Sequence, residues 1–450
     1  MSERGGEQAR LRVRSVPINL GPRDLASLLP DTDVVAWQHG RDGMVGWGEA
    51  WRADFPSAHQ FRAAQRAWRD LAAAAETSDE VGAFGSGLIG FGSFAFDPQS
   101  AAGGTLIVPR VLIGRRGKVA WLTTVDAETT ADAILTVETT APDGGGFSGA
   151  VEGTTLSDGA LWAAEVEAVL ERIDDGDAEK VVLAREVRVT AETTISPARL
   201  LRRLAGKYRT THNYAVDSLV GATPELLVTV RGGRVASTIL AGTVPLPPNA
   251  SEPEIERLAE RLIESQKDLA EHAHAVDSVA NALAPLCTKL EVNGPEILEL
   301  PNVLHLVTDL KARYASRSSS VASLFLAESL HPTAAVCGTP PAAALELIRE
   351  FEDFDRGRYS GPVGWLNAAG DGEWGIALRC AKLQGGNAKL YAGCGIVAGS
   401  NPATELLESE AKLAPLRWAL LGDRPGAPAS ADGAAAAVGK EPDRPALHLL

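Results

Sequence analysis

The sequence predicts a chain of mixed strands and helices folded in more than one lobe, and three observations carry that reading. Its 450 residues, 45% hydrophobic and 22% charged, can bury a large core and have the balance of an ordinary soluble globular protein. Residues from about 10 to 125 alternate strand-like runs with glycines, and later segments show apolar positions at helical spacing. A Gly-, Thr- and acid-rich stretch at 138–159 reads as a loop between lobes.

In chain order, "DVVAWQHG" and "GMVGWGEAW" read as strands, "SAHQFRAAQRAWRDLAAAAE" as a helix, and "GLIGFGSFAF" and "KVAWLTTV" as strands again. "LWAAEVEAVLERIDDGD" is an amphipathic helix and "EKVVLAREVRVT" a β-branched strand. "EPEIERLAERLIESQKDLAEHAHAVDSVANALAPL" places Ile255, Leu258, Leu262, Leu269, Ala273 and Val276 at helical spacing and is read as one helix. From Arg424 onward the chain is Pro/Ala/Gly-rich and is expected to be a disordered tail.

Composition excludes several classes. A net charge of -15 repels nucleic acid and anionic membrane, so neither is expected as a partner. The four cysteines lack C-x-x-C spacing and read as reduced, buried thiols. With no apolar leader or spanning run, the expectation is a soluble, cytoplasmic protein, for which a monomer is one assembly the sequence allows. Gly85–Gly90, "GSGLIG", matches G-x-G-x-x-G. A dinucleotide fingerprint, however, needs a helix after the glycines and an acid about 20 residues on. Here "FGSFAFDP" follows, so the glycines mark a strand packed closely against a neighbour.

Candidate chemistry collects in the second half. Asp268 and Glu271 are three apart on a helix, and Glu405 and Glu408 repeat that spacing after the helix start Asn401-Pro402, with Lys412 four further on. Two such helices facing one another could hold a hard cation. "DGEWGIALRCAKL", read as one strand, puts Arg379 on the face of Gly375 and Ala377 with room to grip a carboxylate, and a turn at 385–387 returns toward Tyr391. Lys180 opens a strand and Glu225 follows a Thr-Pro turn; burial could make them base and acid, or both could be plain surface charges. His305 sits in an apolar run, while Gly242 and Thr243 in "LAGTVP", and His331 and Thr333 in "LHPTAAVCGTPP", occupy loops suited to substrate contact or to plain turns.

Taken in order, "KVVLAREV", "ATPELL", "LAGT", "SQKDLAEH", "LHPTAAVCGTPP", "FDRGRYSGPVGW", "GEWGIALRCAKL", "LYAGCGIV" and "NPATELLESEAKL" resemble the chorismate-utilising enzymes, and among them the isochorismate synthases, over roughly residues 80–420. The resemblance implies a single α+β catalytic unit: two β-rich subdomains packed together, helices outside, and an active-site cleft between them. Its parts would be an N-terminal β-rich subdomain at 1–150, a chorismate-binding region at 151–421 and the tail at 422–450.

By the same resemblance the substrate is chorismate, held beside Mg²⁺, with Glu271 and Glu408 as ligands and Asp268 and Glu405 supporting them. Arg379, Tyr391 and the backbone near Gly395 would hold the enolpyruvyl carboxylate. Gly242, Thr243, His305, Thr333 and Lys412 complete the implied substrate site. The implied reaction adds water at C2 and expels the C4 hydroxyl, with Lys180 activating the water and Glu225 protonating the leaving group. Lys180 argues against anthranilate synthase and Ala241 against aminodeoxychorismate synthase, whereas salicylate synthase shares the Lys/Glu pair and stays open. The product would feed menaquinone or siderophore biosynthesis. Leu406 departs from the family's frequent Trp, Asp268 stands where Glu is common, and Pro415 would kink the last helix.

Overall fold

The computed structural model describes residues 10–127, 145–153, 159–247, 250–300, 303–315 and 321–422. The tail from 423, and the parts of the expected interlobe loop at 138–144 and 154–158, lie outside the described residues.

Two large antiparallel-rich sheets dominate the α+β architecture. The first has thirteen described strands, running from Val151–Glu152 through Lys180–Thr190, Asn387–Val397, Cys380–Gln384, Leu219–Thr223 and His212–Val216 into Val34–His39 and on to the N-terminal strands. The second has nine, from Cys287–Leu300 through Val303–Tyr314, Arg234–Pro245, Leu226–Arg231, Gly372–Ile376 and Pro362–Asn367 to Ile89–Ser93, Gly104–Val108 and Trp51–Phe55. Each sheet takes strands from both sides of residue 150.

The inner faces meet through large side chains: Trp37, Met44, Trp121 and Tyr214 from the first sheet against Phe91, Ile107, Val363 and Trp365 from the second. Helices cover the outer faces. Pro197–Lys207 and Pro402–Leu421 bury their apolar sides on the first sheet, with Leu200, Leu204, Leu416 and Leu420 packed against Ala222, Leu383 and Leu390. Gln60–Ala74, Gln266–Leu283 and Ala322–Leu330 pack on the second. Such burial of alternate strand residues on both faces explains the apolar runs that the sequence shows.

After Gly85 and Gly87 the chain enters a strand rather than a helix. Gly90 lies on the strand Ile89–Ser93, where an added Cβ would come 2.5 Å from Trp68 Cζ3. Close packing therefore accounts for this glycine. Cys287, Cys337, Cys380 and Cys394 are free and buried. Among the described residues no helix is long and apolar enough to cross a membrane.

Two elements differ from the sequence expectation. The long helix is two, Glu252–Glu264 and Gln266–Leu283. Ser265 between them is extended, at φ -71° and ψ 112°, and its hydroxyl accepts from the Asp268 N–H. An N-cap thus starts a new helix within a continuous apolar period, which periodicity alone cannot show. "DGEWGIALRCAKL" is likewise two strands in different sheets, Gly372–Ile376 in the second and Cys380–Gln384 in the first. Arg379 sits at this crossover in the left-handed region, φ 47°, so strand alternation does not set its direction. The tight turn at Gly385-Gly386 is as expected, with Gln384 paired to Asn387. The last helix starts at the expected Asn401 cap and runs on through Pro415 to Leu421.

Candidate active site

The candidate cleft forms where the chain crosses between the sheets. Pro224-Glu225 links Leu219–Thr223 in the first sheet to Leu226–Arg231 in the second, and Ala377–Arg379 makes the reverse crossing. The two crossings are stitched side by side: the Ile376 N–H donates to the Glu225 carbonyl at 3.2 Å, and the Ala222 N–H to the Arg379 carbonyl at 3.0 Å. Tyr359 and Ser360 adjoin them, the Ser360 N–H donating to the Ala377 carbonyl at 3.0 Å. Strands that part in this way leave about 550 Å³ of space, part of it open to solvent. Glu225, Thr243, Glu271, His305, Arg379, Gly395 and Lys412 from the sequence-predicted set all line it.

Lys180 lies behind this wall. It opens the strand Lys180–Thr190, is fully buried, and donates to Glu271 Oε1 at 3.2 Å. Gly395 is small for this reason: a Cβ there would fall 2.3 Å from Glu271 Oε1 and 2.9 Å from Lys180 Cε. Burial alone would raise the Glu271 carboxyl, but the charges of Lys180, Lys412 and Lys267 outweigh it and hold it below its ordinary value. Glu225 is the opposite case. Burial pushes its carboxyl up to about 8 against the pull of Lys180, Arg379 and Lys412, so at neutral pH it keeps its proton.

Arg379 is half-buried, and among the described residues it makes no ion pair; its one side-chain hydrogen bond goes to His305 Nε2 at 3.2 Å. Burial, with Arg379 and Lys412 adding to it, holds the His305 imidazole well below its ordinary value and hence neutral. Nε2 accepts from Arg379, so the ring proton sits on Nδ1 and donates to Thr243 Oγ1 at 2.9 Å. This bond does not use the Thr243 hydroxyl hydrogen, and Thr243 lines the cleft.

The other carboxylates gather beside the cleft. Glu405 pairs with Lys267 and Glu408 with Lys412, each at 2.5 Å, and Lys412 also donates to the Gly393 carbonyl at 2.8 Å. Carboxylate oxygens of Glu405 and Glu408 lie within 4.8 Å of each other and of Cys394 Sγ. Burial raises the Glu405 carboxyl, and repulsion from Glu408 and Glu271 raises it further; Asp268 is raised by burial, with Glu271 and Glu408 adding to it. Glu405 and Glu408 belong to one helix, and two carboxylates crowded in this way suit a hard divalent cation; Asp268 and Glu271, on the other helix, are not part of this close group.

Three sequence-predicted residues sit back from the cleft. Tyr391 is stacked behind Tyr359, ring centroids 5.0 Å apart, and it is Tyr359 that reaches the cavity. Thr333 is buried, its carbonyl accepting from the Val336 and Cys337 N–H groups. Gly242, at φ 74°, makes the bulge that lets Asp268 approach, a Cβ there being 3.2 Å from Asp268 Cβ. Asp268, Glu405 and Glu408 likewise flank the cavity rather than line it. The sequence reading missed Tyr359, Ser360 and Lys267. The first two lie in "FDRGRYSGPVGW", where no spacing rule marks a residue at a sheet crossing.

Comparison with known proteins places the chain in a family. Residues 30–421 match the family of chorismate binding enzymes. The chain is 33% identical over 362 residues to isochorismate synthase MenF of Bacillus subtilis, covering 75% of this chain and 76% of that protein. It is 43% identical over 260 residues to isochorismate synthase DhbC of the same organism, covering 55% of this chain and 64% of that one, so it spans just under two thirds of that relative's length. The solved structure of the menaquinone-specific isochorismate synthase MenF from Escherichia coli superposes with a TM-score of 0.73 at 27% identity, covering 91% of this chain and 94% of that one. The fold is that of a chorismate-binding enzyme. This chain belongs to that family.

Proposed function

We propose that the protein isomerises chorismate to isochorismate in this cleft, with Mg²⁺ as cofactor. The observation that carries the reading is one cavity holding both a carboxyl that keeps its proton at neutral pH, Glu225, and a half-buried guanidinium that makes no ion pair among the described residues, Arg379. A small dianion with a hydroxyl to lose fits that pair. Arg379 and Lys412 attract its carboxylates, and Thr243 offers a hydroxyl hydrogen.

Water adds at C2, the ring double bond shifts, and the C4 hydroxyl departs as water. Lys180 takes the proton from the attacking water as the neutral amine, for which its ammonium must leave Glu271, give up a proton to solvent and present itself to the cleft. Glu225 gives its proton to the leaving hydroxyl. Acid and base are needed together because hydroxide leaves poorly and water attacks poorly at neutral pH. Glu271 and Glu408, with Glu405 and Asp268 beside them, would hold the Mg²⁺. When bound, the ion supplies positive charge for a substrate carboxylate in a chain that is acidic overall.

The reading is tested by running the reaction in ¹⁸O-labelled water. The product should keep the chorismate mass apart from one labelled oxygen, at C2. A product without solvent oxygen, or release of pyruvate with an aromatic acid, would count against it.

A further inference from the structure

The strand that begins at Lys180 is paired along its whole length on one side only. Asn387–Val397 matches every residue from Lys180 to Thr190. On the other side Gly338–Thr339 reaches only Lys180 and Val181, and Val151–Glu152 only Val189 and Thr190. Past the short bridge, the Val182 carbonyl and the Ala184 N–H face no strand among the described residues.

Two side chains take the place of one. Glu352 Oε1 accepts from the Ala184 N–H at 2.7 Å, and Arg356 Nη2 donates to the Val182 carbonyl at 2.7 Å. Glu352 and Arg356 are joined to each other through Nε and Oε2 at 2.7 Å and through a second contact between Nη2 and Oε1. Arg356 Nη1 also donates to the Val336 carbonyl at 2.9 Å, and the guanidinium lies 4.4 Å from the Phe96 ring centroid. One acceptor and one donor bracketing Leu183 are what a residue of a parallel neighbouring strand would present. Both side chains are nearly inaccessible, 3% and 2% exposed, so any buried backbone group they left unmet would have no water to turn to.

We propose that the Arg356–Glu352 pair is a positioning device for the reaction, fixing the edge of the strand that carries Lys180. Val182, two residues beyond Lys180, and Val336 both line the cleft, and so does Tyr359, three residues beyond Arg356. The pair thus ties the segment bearing the base to two other walls. This inference rests on the isomerase reading above. Neither side chain touches the substrate in it.

The test is Arg356→Lys in the full chain. A lysine keeps the charge opposite Glu352 but cannot reach the Val182 and Val336 carbonyls together. Per folded molecule, kcat should fall by about ten- to a hundredfold, the size of effect expected when a catalytic group is displaced by an ångström or less, while KM stays within about threefold. Wild-type kcat, a loss in KM alone, or a loss equal to the unfolded fraction overturns the proposal. Should this variant not fold, Glu352→Gln is read on the same scale. Amide exchange over residues 180–186 is followed in parallel and should rise in the variant; unchanged exchange overturns the proposal without reference to substrate. A wild-type protein inert toward chorismate would instead overturn the isomerase reading.

Discussion

Glu225→Gln should abolish turnover and, above about pH 6, make the protein more stable. The Glu225 carboxyl is raised from 4.5 to about 8 in the fold because burial disfavours its charge. The folded protein therefore keeps a proton that the unfolded chain gives up, and wild-type stability falls as pH climbs from the unfolded value through the folded one. At pH 7 this costs roughly 3 kcal/mol, about two thirds of its full extent, whereas at pH 5 it costs less than about 1 kcal/mol. A glutamine has no proton to lose, so the variant should melt on the order of 5 °C higher at pH 7 and within a degree or so at pH 5. It also cannot protonate a leaving hydroxyl, which should lower kcat by roughly 10²- to 10⁴-fold. Melting curves and initial rates across pH 5 to 9 read both effects. Parallel stability profiles for variant and wild type, or a variant that still turns over at more than a tenth of the wild-type rate, would refute the assignment of a protonated acid.

For the wild type, activity should hold below about pH 7 and fall tenfold per pH unit above about 8, as Glu225 loses its proton; a rate still rising at pH 9 would contradict this. Lys180→Ala should stop turnover while chorismate and Mg²⁺ binding, measured by calorimetry, stay nearly intact. Arg379→Ala should raise the chorismate KM at least tenfold and leave metal affinity unchanged in the same titration. Gly395→Ala places a methyl 2.3 Å from Glu271 Oε1 and should cost at least a hundredfold in kcat/KM with the melting temperature lowered by only a few degrees.

Much of this site was legible in the sequence because its charged residues sit at helical spacings or strand starts. Glu405, Glu408 and Lys412 follow an Asn-Pro start that the structure keeps, and Asp268 and Glu271 follow a serine cap. What the sequence hid lies at the crossings between sheets. There Arg379 adopts φ 47° and Ser360 φ 63°, so period-2 alternation gives no guide to their direction. The same limit hid Tyr359, which lines the cavity with the sequence-predicted Tyr391 stacked behind it. The helix break at Ser265 was hidden differently, since the apolar period runs straight through it and only the cap marks the new start. The ion pairs Lys180–Glu271 and Lys267–Glu405 join residues far apart in the chain and have no local signal, whereas Lys412–Glu408 is an i, i+4 pair whose spacing the sequence shows.

The central claim is metal-dependent isomerisation of chorismate. The most direct measurement incubates the purified protein with chorismate and Mg²⁺, with and without EDTA, and resolves products by chromatography with mass detection. A new species of unchanged mass, formed with Mg²⁺ and absent with EDTA, is the predicted result. Salicylate with stoichiometric pyruvate, or no turnover at all, would contradict it.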